Sequence, residues 1–423
     1  MNYYALVRKI EKYVVSRFSQ FGPNKKQELI RLAYEILRQK KISLSALFDS
    51  EEKDFALLKE RLLTLRYPQS YLEEGGFYLP KLELDPDNRV NIDKKLSFSP
   101  KNIFYERGLG QSAMFSRFRR EFPLARTEEI LSLKEYLRCK KFTLAEYNKR
   151  RENIFIVKER FDFFKPCPCT PGARGCGYYV LNLGFGCPFE CVYCFLQGYQ
   201  NFPGIIIPVN IEDFLKKITS PVRVGSGEFT DSLVFDRFSE FSLTIADYLR
   251  KHPKVVFEFK TKSVEINNLL KTKPQNNLVV SWSLNPKKII QSSEFYTASL
   301  SGRLSAAAKL VSAGFRVGFH FDPIIYYKGW EVDYEDLVDN LFTRIPASSI
   351  AWISLGTLRL EPPTKKVIEN RFPDNGILDE ELVLGFDGKL RYYQALRLSI
   401  YKKMSDWIKK RAPKVWLYLC MEK

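Results

Sequence analysis

Over the first 150 positions, apolar residues recur at helical spacing. Leu29, Ile30, Ala33, Ile36 and Leu37 share one face, with lysines and arginines on the other. Leu57, Leu58, Leu62 and Leu63 repeat the pattern. Further helices are predicted at 127–139 and 144–151. The stretch 75–100 is rich in turn residues and reads as loops with a short strand. Residues 1–150 are therefore expected to be a mostly helical accessory region.

The pattern changes after Lys165. Short runs rich in Val, Ile and Phe then alternate with amphipathic stretches. Strands are predicted at 178–183, 222–225, 255–259, 279–282, 317–321 and 350–354. Helices are predicted between them at 211–218, 238–251, 304–313 and 334–342. This βα repetition implies a parallel sheet with right-handed crossovers. The fold class is α/β, with a partial (β/α)6 barrel over 151–423 that ends in a helix at 392–410 and a strand at 415–419. Polar residues gather at the carboxyl ends of the strands, where barrel-like folds carry their chemistry.

Composition adds a sizeable core and a positive surface. The chain has 423 residues, 45% of them hydrophobic, and a net charge of +18. Such a charge suits DNA or another nucleic acid, and it equally keeps a protein dispersed in water. In the last helix Leu396, Ile400, Met404 and Ile408 form a packing face. Arg397, Lys402, Lys403, Lys409 and Lys410 lie on the other face, towards water or phosphates. The first residues show no signal-peptide pattern, and no run of 18 apolar residues occurs. A cytoplasmic protein that does not span a membrane is expected.

The cysteines change the picture most. Six of the 8 lie between Cys167 and Cys194. Such crowding in a large chain points to metal or redox chemistry, not to a disulfide framework. Cys187, Cys191 and Cys194 form a CxxxCxxC array just after the first predicted barrel strand. Three thiolates can hold a [4Fe-4S] cluster and leave one iron open to a small molecule. The alternative is a zinc knuckle with Cys176 as a fourth ligand.

The array and its flanks resemble the radical S-adenosylmethionine superfamily, and within it the spore photoproduct lyase family. The resemblance runs through Cys187-Pro188, Cys191-Val192-Tyr193-Cys194-Phe195-Leu196-Gln197, Phe259-Lys260-Thr261-Lys262, Ser283-Leu284-Asn285 and Gly329-Trp330-Glu331. It covers about residues 178–332 and not the first 150. It implies a [4Fe-4S] cluster on the three cysteines and S-adenosyl-L-methionine on the open iron. It also implies an electron donor such as flavodoxin or ferredoxin, and a lyase-like radical reaction on a nucleic-acid lesion. The cofactor carries the reactivity, while the protein orients it.

The resemblance also assigns residues. Glu228, in Gly225-Ser226-Gly227-Glu228, would accept from the amino group of S-adenosylmethionine. Asp231 either assists it or caps the next helix. Lys262, rather than Lys260, would pair with the carboxylate. Ser283 and Asn285 share a strand face and suit the ribose or methionine part. His320 and Asp322 end the fifth strand; they serve the nucleoside or substrate, or His320 is structural. Tyr326, Tyr327 and Trp330 either stack on bases or pack in the core.

Two departures from the family stand out. No cysteine occupies the expected hydrogen-donor position, where Gly227-Glu228-Phe229-Thr230-Asp231 stands. Tyr193 is present near the third cysteine, but Phe195, directly after it, has no O–H. Cys169, Cys176 and Cys420 are the thiols left as alternative donors, each with a structural or metal-binding alternative. Two further readings stay open: the same radical machinery acting on a small molecule or peptide, and a non-catalytic iron–sulfur protein that binds nucleic acid.

Overall fold

The computed structural model describes residues 2–48, 54–68, 81–93, 97–138, 140, 142–160, 164–168, 177–199, 201–218, 221–385 and 387–422. The amino-terminal helices are Tyr3–Arg17, Pro23–Gln39 and Phe55–Arg66. Each starts where the chemistry favours it. Asn2 and Asp54 accept from backbone N–H groups of the first turns, and Pro23 sits where its missing N–H costs nothing. Ile10, Val14, Leu29, Leu32, Ile36, Leu58 and Leu62 close a separate small core between them.

Next comes a sheet that the hydrophobic pattern did not predict. Its strands are β1 (Asn102–Glu106), β2 (Arg126–Ile130) and β3 (Asn153–Val157). They pair in parallel, with β1 in the centre, and β3 also pairs with Ile205–Pro208. The helix expected at 127–139 is instead strand β2 followed by a short helix, Leu133–Leu137. Arg126-Thr127-Glu128-Glu129 has little strand character of its own, and pairing with β1 overrides it. The sheet straddles position 150.

The barrel follows the expected βα order. The strands from here on are β4 (Phe164–Pro166), β5 (Tyr178–Leu181), β6 (Glu190–Cys191), β7 (Ile205–Pro208), β8 (Val222–Gly225), β9 (Val255–Thr261), β10 (Leu278–Ser283), β11 (Glu294–Phe295), β12 (Arg316–Ile324) and β13 (Ile350–Thr357); β7 completes the first sheet, and β6 and β11 pair only with each other. Six of these, β5-β8-β9-β10-β12-β13, run parallel as neighbours. The carboxy-terminal strand Leu417–Leu419 extends the sheet beyond β13, and antiparallel β4 borders β5 at the other edge. The eight-stranded sheet of the described residues is thus an open half-barrel. Its outward residues, such as Phe257, Phe259, Val280, Trp282, Phe319 and Phe321, pack under the helices. No helix among the described residues is long and apolar enough to cross a membrane.

Candidate active site at the mouth of the half-barrel

Strand β5 delivers the chain to the cysteine loop. Gly186, at φ 84°, supplies a left-handed turn that a side chain would strain. Cys191 is buried, while Cys187 and Cys194 are half-buried. The loop is pinned from two sides. β6 pairs antiparallel with β11, and Val192 N–H donates to the Ser293 carbonyl at 2.8 Å. Buried Glu190 receives Arg150 at 2.8 Å and Arg371 at 2.9 Å. Arg150 also donates to the carbonyls of Cys187 and Phe189, at 3.2 and 2.7 Å. Gln197 donates to the Val192 and Cys194 carbonyls, each at 2.8 Å, and accepts from Arg371 at 2.7 Å. Hydrogen bonds involving charged groups are the strong ones, so the loop is a clamped frame. Arg150 and Arg371 were not singled out from the sequence; the one signal was a carboxylate set among cysteines.

Burial, and after it the nearby Asp231 carboxylate, pushes the Cys187 thiol up to about 12. Burial also pushes Cys191 and Cys194 upward. Thiolates at such positions need a bound cation to stay ionised, and soft sulfur donors suit iron. Among the described residues, no group of three or more His, Cys, Asp or Glu side chains is arranged to hold a metal ion.

The strand ends bring several expected residues to the same mouth. Glu228 accepts from Asn182 at 3.0 Å and pairs with Lys165 at 3.2 Å. The Lys262 ammonium donates to Ser283 Oγ at 2.9 Å and lies 5.6 Å from the centre of the Tyr193 ring. Asp231 is a strut. It accepts from the N–H groups of Leu233 and Val234 and ties the β8 loop to β9 through Thr261 Oγ1 at 2.7 Å and the Lys262 N–H at 2.6 Å. Its contacts hold the loop itself; the helix that follows, Asp236–Ser239, has no side-chain cap.

Behind Lys262 lies a buried network that sequence reasoning missed. Tyr193 donates to Glu294, and Asn285 donates to the same carboxylate at 2.9 Å. Arg303 donates to the other Glu294 oxygen at 2.6 Å, and Tyr334 donates to the Asn285 carbonyl oxygen at 2.7 Å. Both ends of the Asn285 amide are therefore engaged within the protein. Burial, then the Glu294 charge, lifts the Tyr193 phenol well above its usual range.

His320 lies deeper, at the floor. Its two ring nitrogens meet Glu258 at 2.9 Å and Ser354 at 2.5 Å. Glu258 also accepts from Tyr178 at 2.7 Å, from Trp352 at 2.6 Å and from Ser281. Burial, then the charge of Lys260, holds the His320 pKa below its usual value, which favours the neutral ring. Asp322 is held by Arg359 through two bonds of 2.9 and 3.0 Å. Cys420 follows the last strand at the same end of the barrel, its sulfur 3.8 Å from Arg359 Nη2. Trp330 packs against Trp407 and Tyr334 in the core. Cys169 and Cys176 lie outside the described residues.

The fold has counterparts among known proteins. The spore photoproduct lyase family model matches residues 157–415. A spore photoproduct lyase from Clostridium acetobutylicum is 23% identical over 301 residues, which cover 69% of this chain and 86% of that protein. One from Bacillus subtilis is 28% identical over 253 residues, covering 56% of this chain and 71% of that protein. A spore photoproduct lyase solved with dinucleoside spore photoproduct superposes with a TM-score of 0.65 at 23% identity. That match covers 76% of this chain and 98% of that one. A variant solved with AdoMet and dinucleoside spore photoproduct gives 0.64 at 23%, with the same coverage. With more than half of its length matched by the family model, the chain belongs to the spore photoproduct lyase family.

Proposed function

We propose that this protein is a radical S-adenosylmethionine enzyme acting on damaged DNA. The observation that carries the reading is the clamped three-cysteine loop at the carboxyl end of the first barrel strand, inside the family match. In this reading residues 151–423 are the catalytic unit and 1–150 an accessory unit, in the cytoplasm. Cys187, Cys191 and Cys194 would hold the [4Fe-4S] cluster. When bound, the cluster and S-adenosylmethionine supply an electron, delivered from a flavodoxin or ferredoxin, and a reactive deoxyadenosyl group. Glu228 is the acceptor for the cofactor's ammonium, exchanging its contact with Lys165 for it. Lys262 is the cation for the cofactor's carboxylate, with Ser283 holding the ammonium in place. Asn285 acts indirectly, by fixing Tyr193 and Glu294 beneath Lys262. His320 and Asp322 shape the floor and wall on which the nucleoside or substrate rests. A damaged base must leave the stack to reach this depth.

A second reading keeps the machinery and changes the substrate to a small molecule or peptide. Phe195, beside the third cysteine, and the absence of a cysteine from Gly227–Asp231 favour it. Tyr193 and Cys420 are then the described groups left to pass a hydrogen atom.

The test is anaerobic reconstitution with iron and sulfide, reduction, and an assay for 5'-deoxyadenosine with and without DNA carrying spore photoproduct. Formation of 5'-deoxyadenosine that disappears in Cys191→Ala, with lesion reversal, is expected. No 5'-deoxyadenosine overturns both enzyme readings and leaves a non-catalytic nucleic-acid binder. Cofactor cleavage without lesion reversal selects the second reading.

A further inference from the structure

We infer that the amino-terminal helices, outside the matched family region, are a brace that sets the order of the cysteine loop, with Arg31 as its main positioning residue. Two hydrogen-bonded routes lead from helix Pro23–Gln39 to that loop. The first crosses helix Pro362–Arg371. Buried Arg31 is held by Glu35 at 2.6 Å and reaches across to both oxygens of Glu369, one of them at 3.1 Å. Two residues on, at the end of the same helix, Arg371 grips Glu190 and Gln197 in the cysteine loop. The second route starts at Arg38 and Tyr34, which donate to the Pro373 carbonyl, each at 3.3 Å. Arg38 also donates to the Asn375 carbonyl at 3.2 Å. The Asn375 side chain donates to the Ser292 carbonyl at 2.8 Å and to Ser293 Oγ at 3.2 Å. The Ser293 carbonyl in turn receives Val192 N–H, between the second and third cysteines.

The first route thus holds the loop at both ends and the second at its middle. Glu190 and Gln197 flank Cys191 and Cys194, and Val192 lies between them. Among the described residues the other cation on Glu369 is Lys365 of its own helix, which cannot tie it to the amino-terminal region. Removing Arg31 therefore unties Glu369, in the last turns of helix Pro362–Arg371, from the amino-terminal helices and alters no residue of the mouth. Contiguity alone does not make two regions coupled, so the experiment reads the coupling directly.

The inference rests on the proposed role of the cysteines only for its functional meaning, and its test uses metal-free full-length protein. Alkylation of Cys187, Cys191 and Cys194 is followed by peptide mass, alongside amide exchange of residues 187–197. Arg31→Ala is expected to speed both by about tenfold, the size of a contact-coupling effect. Exchange in β10 and alkylation of Cys167 should stay as in the wild type. Arg31→Lys, which keeps one charged contact, should restore part of the protection. Arg38→Met, which cuts only the second route, gives a smaller increase and serves if Arg31→Ala does not fold. Faster exchange confined to 23–66 and 362–375, with the loop unchanged, overturns the brace. A wild-type protein that makes no 5'-deoxyadenosine would sink the enzyme reading and leave this result standing.

Discussion

Glu258 shows what a single residue contributes here. It is buried at the floor of the half-barrel and accepts from Tyr178, Ser281 and Trp352, with His320 alongside. The Arg223 guanidinium, 3.9 Å from the Trp352 ring centre, lies against the same carboxylate and reaches Tyr418 at 3.1 Å. Glu258→Ala would leave these donors without an acceptor. A loss of about 3–5 kcal/mol in urea unfolding is expected, and a loss under about 1 kcal/mol would disprove its role as the shared acceptor. Gly225 tests the same spot by volume. A Cβ there would stand 1.3 Å from Tyr178 Oη. Gly225→Ala should therefore push Tyr178 off Glu258 and cost at least about 1–3 kcal/mol, with intrinsic tyrosine fluorescence as a second readout. The sequence made His320 and Asp322 visible because polar residues at a strand end stand out. Glu258 stayed hidden in Val-Val-Phe-Glu-Phe, where a charge inside an apolar run gives no hint of its four partners.

The amino-terminal helices carry a pH dependence of their own. Burial alone would raise the Glu35 carboxyl, but Arg31 and Arg66 hold it down to about 2 against an ordinary 4.5. A carboxyl depressed in the folded state stabilises fully above its unfolded pKa. That contribution is lost as pH falls from about 4.5 towards 2. The urea midpoint of the wild type should exceed that of Glu35→Gln at pH 6, and the gap should narrow as pH falls below 4.5 and be mostly gone by pH 2. A gap that stays constant across this range would refute the assignment. The barrel strands and their order were legible because six apolar runs alternate with amphipathic helices. The sheet of β1, β2, β3 and β7 was not. Its strands are short and scattered over about 100 residues, and β2 is charged and exposed along most of its length. The cysteine loop was legible in its ligands but not in its clamp, since Arg150 and Arg371 come from distant segments.

The molecule, with a net charge of +18, joins amino-terminal helices and a four-stranded sheet to an open half-barrel whose strand ends carry Lys165, Lys260, Lys262 and Arg359. If DNA is the partner, affinity must fall steeply with salt. A plot of log K against log salt with a slope steeper than about −3 is expected, from several phosphate contacts, and a flat plot would remove the electrostatic case. The family was legible from one loop and a few strand ends. The amino-terminal helices had no signature, because their contacts with helix Pro362–Arg371 and the residues after it lie about 340 positions away. Separation along the chain also governs how the protein is made. Arg371 follows Cys191 by about 180 residues. At roughly 5–20 residues per second, a growing chain carries its three thiols uncovered for about 10–40 s before the arginine that locks their loop exists. Thiols uncovered for that long are open to oxidants or stray metal. The protein is thus most exposed to oxygen at its synthesis, before the loop has closed.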